Sequence, residues 1–485
     1  MDFTYGLAVL LVIFEGIIIQ CKVAGGAVFS YLSQNAPTDE KNKRTLPHDM
    51  TEKIFSDFDF QTINNAVRLM LISATNPVIS RKLQNYIILI KTTEFDGGIH
   101  EYYQDGDLFL KFGVYQELIS FFNKFGDQVK KIEFDNRHDM QHNENHKNII
   151  YHIKRCAKHL EELRINTLDE RRFWADLSDE DNGINFPKVK KFHFDGVSRQ
   201  REFKLNLIFP KLESFTLHGE VIDVNCLANV KGLKELMLRT NSINEDQYDK
   251  IFANNVNMTK ICLLEPYRAK TMHSIAIYLT KLETLAVEFP SQMFLIRRNN
   301  NPVYNLPSVT HFDISYFKID EQIVIENPSF DMPNLKKLTL RGVQTEDRIV
   351  NFIKHFENLE SVELFVNQYN AVECMEDLSH IKEFMITFYE DEFESMHQFD
   401  LLKSMFEHFD KESKLQTLKF LHFNESLYQT YEDTMEEFNL HLKEIMQPTW
   451  KLSQEEQIGT GKMYLMFRRE PCTYKSCKRQ VAFIS

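Results

Sequence analysis

The feature that most limits what this chain can fold into is a short apolar pattern, L-x-x-L-x-L, that recurs along more than half of its length. It is met at Val129-Ile132-Phe134, Leu160-Leu163-Ile165, Val189-Phe192-Phe194, Leu212-Phe215-Leu217, Leu233-Leu236-Leu238 and Met258-Ile261-Leu263. It continues at Leu282-Leu285-Val287, Val309-Phe312-Ile314, Leu335-Leu338-Leu340, Leu359-Val362-Leu364, Ile381-Phe384-Ile386 and Leu415-Leu418-Phe420. That is twelve units, and Val129 to Leu415 is 286 residues over eleven intervals, a mean period of 26. Self-similarity at such a period points to stacked units, each burying an apolar face against the next. Within a unit the last two apolar positions lie two apart, so they point to one face of a short strand while the residues between them point to the other. Between strands the period changes: Ile349, Phe352, Ile353 and Phe356, and again Leu401, Leu402, Met405, Phe406 and Phe409, follow helical spacing.

In these segments the chain resembles the leucine-rich-repeat family over Val129 to Phe420. The resemblance implies an α/β fold: a right-handed solenoid of about twelve repeats, with a parallel concave sheet and helices on the convex side. The asparagine that often follows the strand is present at Asn241 and Asn367, while other units carry Arg137, Leu168, Pro266 or Phe317 there, and intervals run from 21 (Leu212 to Leu233) to 34 (Ile381 to Leu415). This spread is closer to the longer, helix-bearing intracellular type than to the shorter extracellular type with cysteine-rich caps. Beyond the array, Tyr431 to Gln447 reads as a closing helix ended by Pro448, and Lys462 to Phe467 as a last strand; Tyr86 to Ile90 is a candidate part of the N-terminal cap.

A second pattern precedes the repeats. In Leu46-Pro47-His48-Asp49-Met50-Thr51-Glu52-Lys53-Ile54-Phe55-Ser56-Asp57-Phe58, Pro47 suits a first helical turn, and Leu46, Met50, Ile54 and Phe58 fall four apart on one face. This segment resembles the start of an F-box, with Ile63 to Ala74 and Pro77 to Ile90 supplying the second and third helical segments; the tryptophan that many F-boxes carry is missing between Phe58 and Leu83. The resemblance implies a small all-helical module that binds the Skp adaptor and, through it, a cullin scaffold. Leu46, Pro47, Met50, Ile54, Phe55 and Phe58 would be the adaptor-binding residues. The expected organisation is therefore an apolar segment (1–30), a polar linker (31–45), the F-box-like module (46–90), a solenoid cap (91–128), the repeats (129–424) and a C-terminal cap and tail (425–485).

The apolar stretch Phe3 to Cys21 pulls the other way. It reads as a signal segment, an anchor or a packed helix, with Asp2 and Glu15 against the first two; Glu15 near a bilayer centre would cost about 2 to 3 kcal/mol. The F-box-like segment places the chain in cytosol or nucleus, whereas a working leader would make it secreted or membrane-anchored. Seven cysteines, odd in number and mostly scattered, do not form the dense framework of a small secreted domain. Two glycosylation sequons, Asn257-Met258-Thr259 and Asn424-Glu425-Ser426, are short enough to arise by chance.

Chemistry beyond binding finds little support. A net charge of -13 disfavours nucleic acid, which needs a basic face. His138, His142 and His146 share a helical spacing but sit in a strongly polar stretch, so no metal is expected there. Gly459-Thr460-Gly461-Lys462 lacks the spacing of a phosphate-cradling loop and reads as a turn, and Cys472 with Cys477 carries no further signal. No catalytic residues and no cofactor are expected. What remains is the outward strand positions, where the least charged patch, Met237, Cys262, Leu264 and Ala286, is ringed by Arg239, Lys260, Glu288 and His311. These eight are the candidate substrate-binding residues, since interfaces tend to centre on apolar anchors with a polar rim. Two functions follow: a substrate receptor of an SCF-type ubiquitin ligase, holding an unknown protein substrate on its repeats, or a secreted or anchored repeat protein that binds an extracellular ligand.

Overall fold

A computed structural model describes residues 83–91, 99–104, 107–112, 115–136, 144–167, 185–196, 205–219, 225–239, 245–264, 269–288, 303–315, 330–343, 352–366, 380–388, 405–406, 414–424, 450–457 and 462–469. The chain divides into two compact units, Met1–Asp59 and Phe60–Ser485, and every described residue belongs to the second.

The strands in chain order are β1 Tyr86–Lys91, β2 Ile99–Gln104, β3 Asp107–Phe112, β4 Lys131–Asn136, β5 Glu162–Thr167, β6 Lys191–Gly196, β7 Ser214–His218, β8 Glu235–Arg239, β9 Lys260–Leu263, β10 Thr284–Glu288, β11 Tyr304–Asn305, β12 His311–Ser315, β13 Phe330–Asp331, β14 Lys337–Val343, β15 Ser361–Val366, β16 Glu383–Phe388, β17 Thr417–Asn424, β18 Trp450–Gln457 and β19 Lys462–Arg469. All but β11 and β13, which pair with each other, join one 17-stranded sheet. From β4 to β17 the strands of this sheet are paired in chain order, each parallel to the next. Parallel neighbours need a crossover of a dozen or so residues, and the period of 26 supplies one per unit. The result is a large, mostly parallel sheet compatible with an α/β solenoid. Antiparallel strands finish both ends: β2 pairs with β3 before β1 and β4, and β19 lies between β17 and β18. Gln104 faces Asp107 across a link of only Asp105-Gly106, a dipeptide favoured in two-residue hairpins.

The apolar pattern sorts onto one face as the alternation requires. Every residue of the twelve units whose side chain is described is at most 4% exposed. This core face is covered by helices: α1, Tyr115–Phe125, buries Leu118, Phe121, Phe122 and Phe125, with the Phe121 ring 4.8 Å from that of Phe112 on β3. Other helices, α2 (Glu144–Cys156), α3 (Glu245–Asn254) and α4 (Ala269–Tyr278), together with two single turns at Leu205–Ile208 and Asn225–Ala228, occupy the crossovers. The expected apolar helix positions Phe352, Ile353 and Phe356, and Met405 and Phe406, are buried.

The backbone repeats as faithfully as the side chains. The carbonyl of Lys130 accepts the N–H groups of Glu161 and Glu162, and that of Glu161 accepts those of Lys190 and Lys191. The same doubled bond passes through Lys190, Glu213, Lys234, Thr259, Glu283, Thr310, Lys336, Glu360 and Lys382 to Gln416 and Thr417. In six units another repeating carbonyl lies three residues ahead of the leading apolar position: Phe186 accepts from Val189, Phe209 from Leu212, Leu279 from Leu282, Leu306 from Val309, Met332 from Leu335 and Phe356 from Leu359. Their side chains are at most 3% exposed, so the true unit carries a fourth apolar position that the six-residue pattern omits. Glycine is required where units turn most tightly: Gly219 has φ +115°, and a Cβ there would stand 2.0 Å from the Gly196 carbonyl oxygen.

One expectation is corrected. The third helical segment read over Pro77 to Ile90 is, from Tyr86 on, strand β1, which lies between β3 and β4 with Tyr86, Ile87, Ile88, Leu89 and Ile90 all buried. A continuous apolar run has no period by which to tell a two-faced buried strand from a helix. Strand β1 pairs in parallel with β4, the first strand of the repeating series. The last strand expected over Lys462 to Phe467 is β19. Residues 1–82, the closing helix at 431–447, His138, His142, Gly459, Cys472 and Cys477 lie outside the described residues.

Candidate binding surface

Parallel register lines the outward side chains of successive strands into rows, about 4.8 Å apart from strand to strand. The middle row runs Glu133, Arg164, His193, Thr216, Met237, Cys262, Ala286, Asp313, Thr339, Glu363, Met385 and Lys419. This open face is where composition changes from unit to unit while the core face stays apolar.

At the N-terminal end the open face is filled from within. Ile87, Leu89 and Phe109 stand in register with Lys131, Glu133 and each other, on the side where solvent is expected, yet they are 0%, 4% and 5% exposed. Arg164 on β5 reaches across β4 and β1 to Asp107 on β3 at 2.5 Å, with its guanidinium 5.9 Å from the Phe109 ring centre. It also pairs with Glu162 at 2.6 Å and Glu133 at 3.8 Å, and Glu133 accepts a further bond from Asn166. Burial works against the Arg164 charge, but Glu162 and Asp107 outweigh it and raise its pKa further. A planar fork can serve several carboxylates while its stem and face cover apolar surface.

Toward the C-terminal end charges are likewise engaged with one another. Arg341 donates to both oxygens of Asp313 and lies 4.2 Å from the Phe365 ring centre, Lys337 pairs with Glu363 at 3.2 Å, and Lys419 pairs with Glu383.

Between these regions lie the eight residues expected to bind a substrate, and the fold brings them together on β8, β9, β10 and β12. Met237, Cys262 and Ala286 are consecutive partners in register, as are Lys260, Thr284 and His311. Leu264 follows directly on β9, its N–H bonded to the Leu238 carbonyl, and Glu288 ends β10. Met237, Leu264, Ala286 and Glu288 are half-buried, whereas Arg239, Lys260 and His311 are exposed. Cys262 departs from the expectation of accessible surface: it is 6% exposed, and burial, with Asp313 adding to it, pushes its thiol up to about 11. It lines the floor of the patch and offers neither much area nor a thiolate.

Beside the patch, His193 and His218 meet edge to face, ring centres 5.2 Å apart. Burial lowers the His218 pKa, with Arg239 acting in the same direction against Asp195. This pair, the Arg164 cluster and Asn255 were not singled out from the sequence. Asn255 is 2% exposed and stands where other units carry the fourth apolar residue; its side chain accepts the Leu233 N–H and donates to the Val230 and Ile251 carbonyls. Aligning the units in columns would have exposed it as a polar residue in a mostly apolar column. Asp107 could not be reached that way, since β3 belongs to no unit.

The adaptor-binding candidates Leu46, Pro47, Met50, Ile54, Phe55 and Phe58 lie outside the described residues. Among the described residues no group of three or more His, Cys, Asp or Glu side chains could hold a metal ion, and no helix is long and apolar enough to cross a membrane. By architecture this is a mostly parallel α/β sheet protein with one open face. No protein-family model matches the chain, and no curated protein matches it.

Proposed function

We propose that this chain is a protein-binding substrate receptor of an SCF-type ubiquitin ligase. Its sheet would be the concave side of a right-handed leucine-rich-repeat solenoid of twelve repeats with convex helices, and its open face would hold a protein substrate. The F-box-like segment starting at Leu46 would recruit the Skp adaptor and cullin scaffold, leaving the chemistry of transfer to partners. The observation that carries the binding half is the open face itself: twelve consecutive parallel strands whose core positions are uniform while their outward side chains differ from unit to unit. Such a surface can vary its recognition without disturbing its fold.

Co-expression of the full chain with the Skp adaptor tests the ligase half. The adaptor should co-purify, and Leu46→Ala with Pro47→Ala should weaken its recovery while the far-ultraviolet spectrum stays unchanged, because truncating central anchors removes most of an interface's energy. A second reading, a secreted or anchored repeat protein, is favoured by the apolar run Phe3 to Cys21. Asn257 is exposed, so its sequon is open to a glycan. A glycosylated chain in the medium that recovers no adaptor would overturn the ligase reading in favour of the second.

A further inference from the structure

We infer that the β8–β10 patch takes an acidic partner segment carrying an apolar side chain, the apolar group resting on Met237, Cys262 and Ala286 and the carboxylates on Arg239 and Lys260. The inference rests on the reading of the open face as the substrate-binding surface and adds the chemistry of what it binds.

Charge bookkeeping on the open face carries the argument. Toward either end, Arg164 holds Asp107, Glu162 and Glu133, Arg341 holds Asp313, and Lys337 and Lys419 hold Glu363 and Glu383, while Lys191 on β6 stands exposed and has no apolar row beside it. Of the anions at the patch, Asp313 is bidentate to Arg341, Glu235, the register neighbour of Lys260, accepts from Ser214 Oγ at 2.9 Å, and Glu288 ends β10 on the far side from β8. Arg239 and Lys260, both exposed, take part in no ion pair among the described residues. They sit on adjacent strands on opposite sides of the apolar row, Arg239 two residues beyond Met237 on β8 and Lys260 two residues before Cys262 on β9. An apolar strip between two uncommitted cations complements an extended segment with a nonpolar residue flanked by carboxylates, even though the whole chain carries a net charge of -13. Met237 suits such a role because its unbranched side chain adapts to the shape laid on it.

The test uses the full-length chain on an array of synthetic peptides in which net charge and leucine content vary independently. Signal should be strongest on acidic peptides containing leucine, should fall when leucine is replaced by serine, and should weaken as salt is raised from about 0.1 M to about 1 M. Reversing both charges, Arg239→Glu with Lys260→Glu, should cut binding to acidic peptides by about tenfold or more and shift preference to basic ones. The neutral pair Arg239→Gln with Lys260→Gln should lose the acidic preference without reversing it, and an unchanged thermal midpoint shows that the fold is intact. Binding that ignores peptide charge, that survives the double reversal, or that is matched by inorganic polyphosphate would overturn the inference, as would an array without signal. Adaptor recovery is read separately: a chain that recovers the adaptor but shows no acidic preference overturns this inference alone.

Discussion

The N-terminal end and the middle of one open sheet face have opposite fates. At β1, β3, β4 and β5 the open face carries Ile87, Leu89 and Phe109, all buried, with the guanidinium of Arg164 over the Phe109 ring and paired to Asp107. At β8, β9 and β10 the same face carries Met237, Cys262 and Ala286, and the flanking Arg239 and Lys260 stand exposed. An apolar cluster on the open side of a sheet is thus buried where a long cation is satisfied by the chain's own carboxylates beside it, and stays accessible, as the proposed docking surface requires, where the flanking cations stand exposed. Burial, pairing and register decide between the two outcomes; hydrophobicity alone does not.

The contrast can be broken most forcefully at Ile87. Ile87→Ala should cost about 2 to 5 kcal/mol, as for any fully buried aliphatic side chain, although by register it sits on the open face. A urea midpoint that barely moves would mean the N-terminal cluster is not a core. Arg164→Ala comes next, at about 1 to 3 kcal/mol. It strands Asp107, Glu133 and Glu162 and uncovers Phe109, but at 25% exposure water restores part of the loss. Arg164→Lys should recover little, because a point charge cannot serve three carboxylates on different strands.

Acidification probes the fold as a whole more gently. His152, His218, His355 and His380 all have pKa values lowered chiefly by burial, so the folded chain favours their neutral forms. In the unfolded chain they titrate near their ordinary value of about 6.5. Below that pH the unfolded state takes up protons that the fold resists. Stability should therefore be level above about pH 7, decline as pH falls through about 6.5, and stop declining on this account once the lowered folded values are passed. Urea midpoints from pH 8 downward trace this, and substituting His152 by Phe should flatten the slope, since its ring already stacks on Phe122 at 5.4 Å.

Met237→Ala should have the smallest effect on stability, below about 1 kcal/mol, because the residue is half-buried on the open face and anchors nothing in the core. Its effect on capture of leucine-containing acidic peptides should be plain by comparison. A loss of stability as large as that of Ile87→Ala would erase the difference between the two regions.

The sequence by itself determined where the strands lie and which of their side chains are buried. That information is local: a spacing of two within six residues selects one face, and repetition every 26 residues on average supplies each strand with the same neighbours. Tyr86 to Ile90 escaped because a run without alternation carries no face, and only its place between β3 and β4 shows that both sides are covered. Asn255 was equally silent, since its three bonds lie with backbone groups of its own helix and of the preceding unit. What tertiary structure alone decided is how the open face is used. Arg164 and Arg239 are both outward arginines in the pattern, and whether each is engaged inside the protein or stands exposed depends on which carboxylates lie within reach of a long side chain across several strands, a distance that no spacing along the chain encodes.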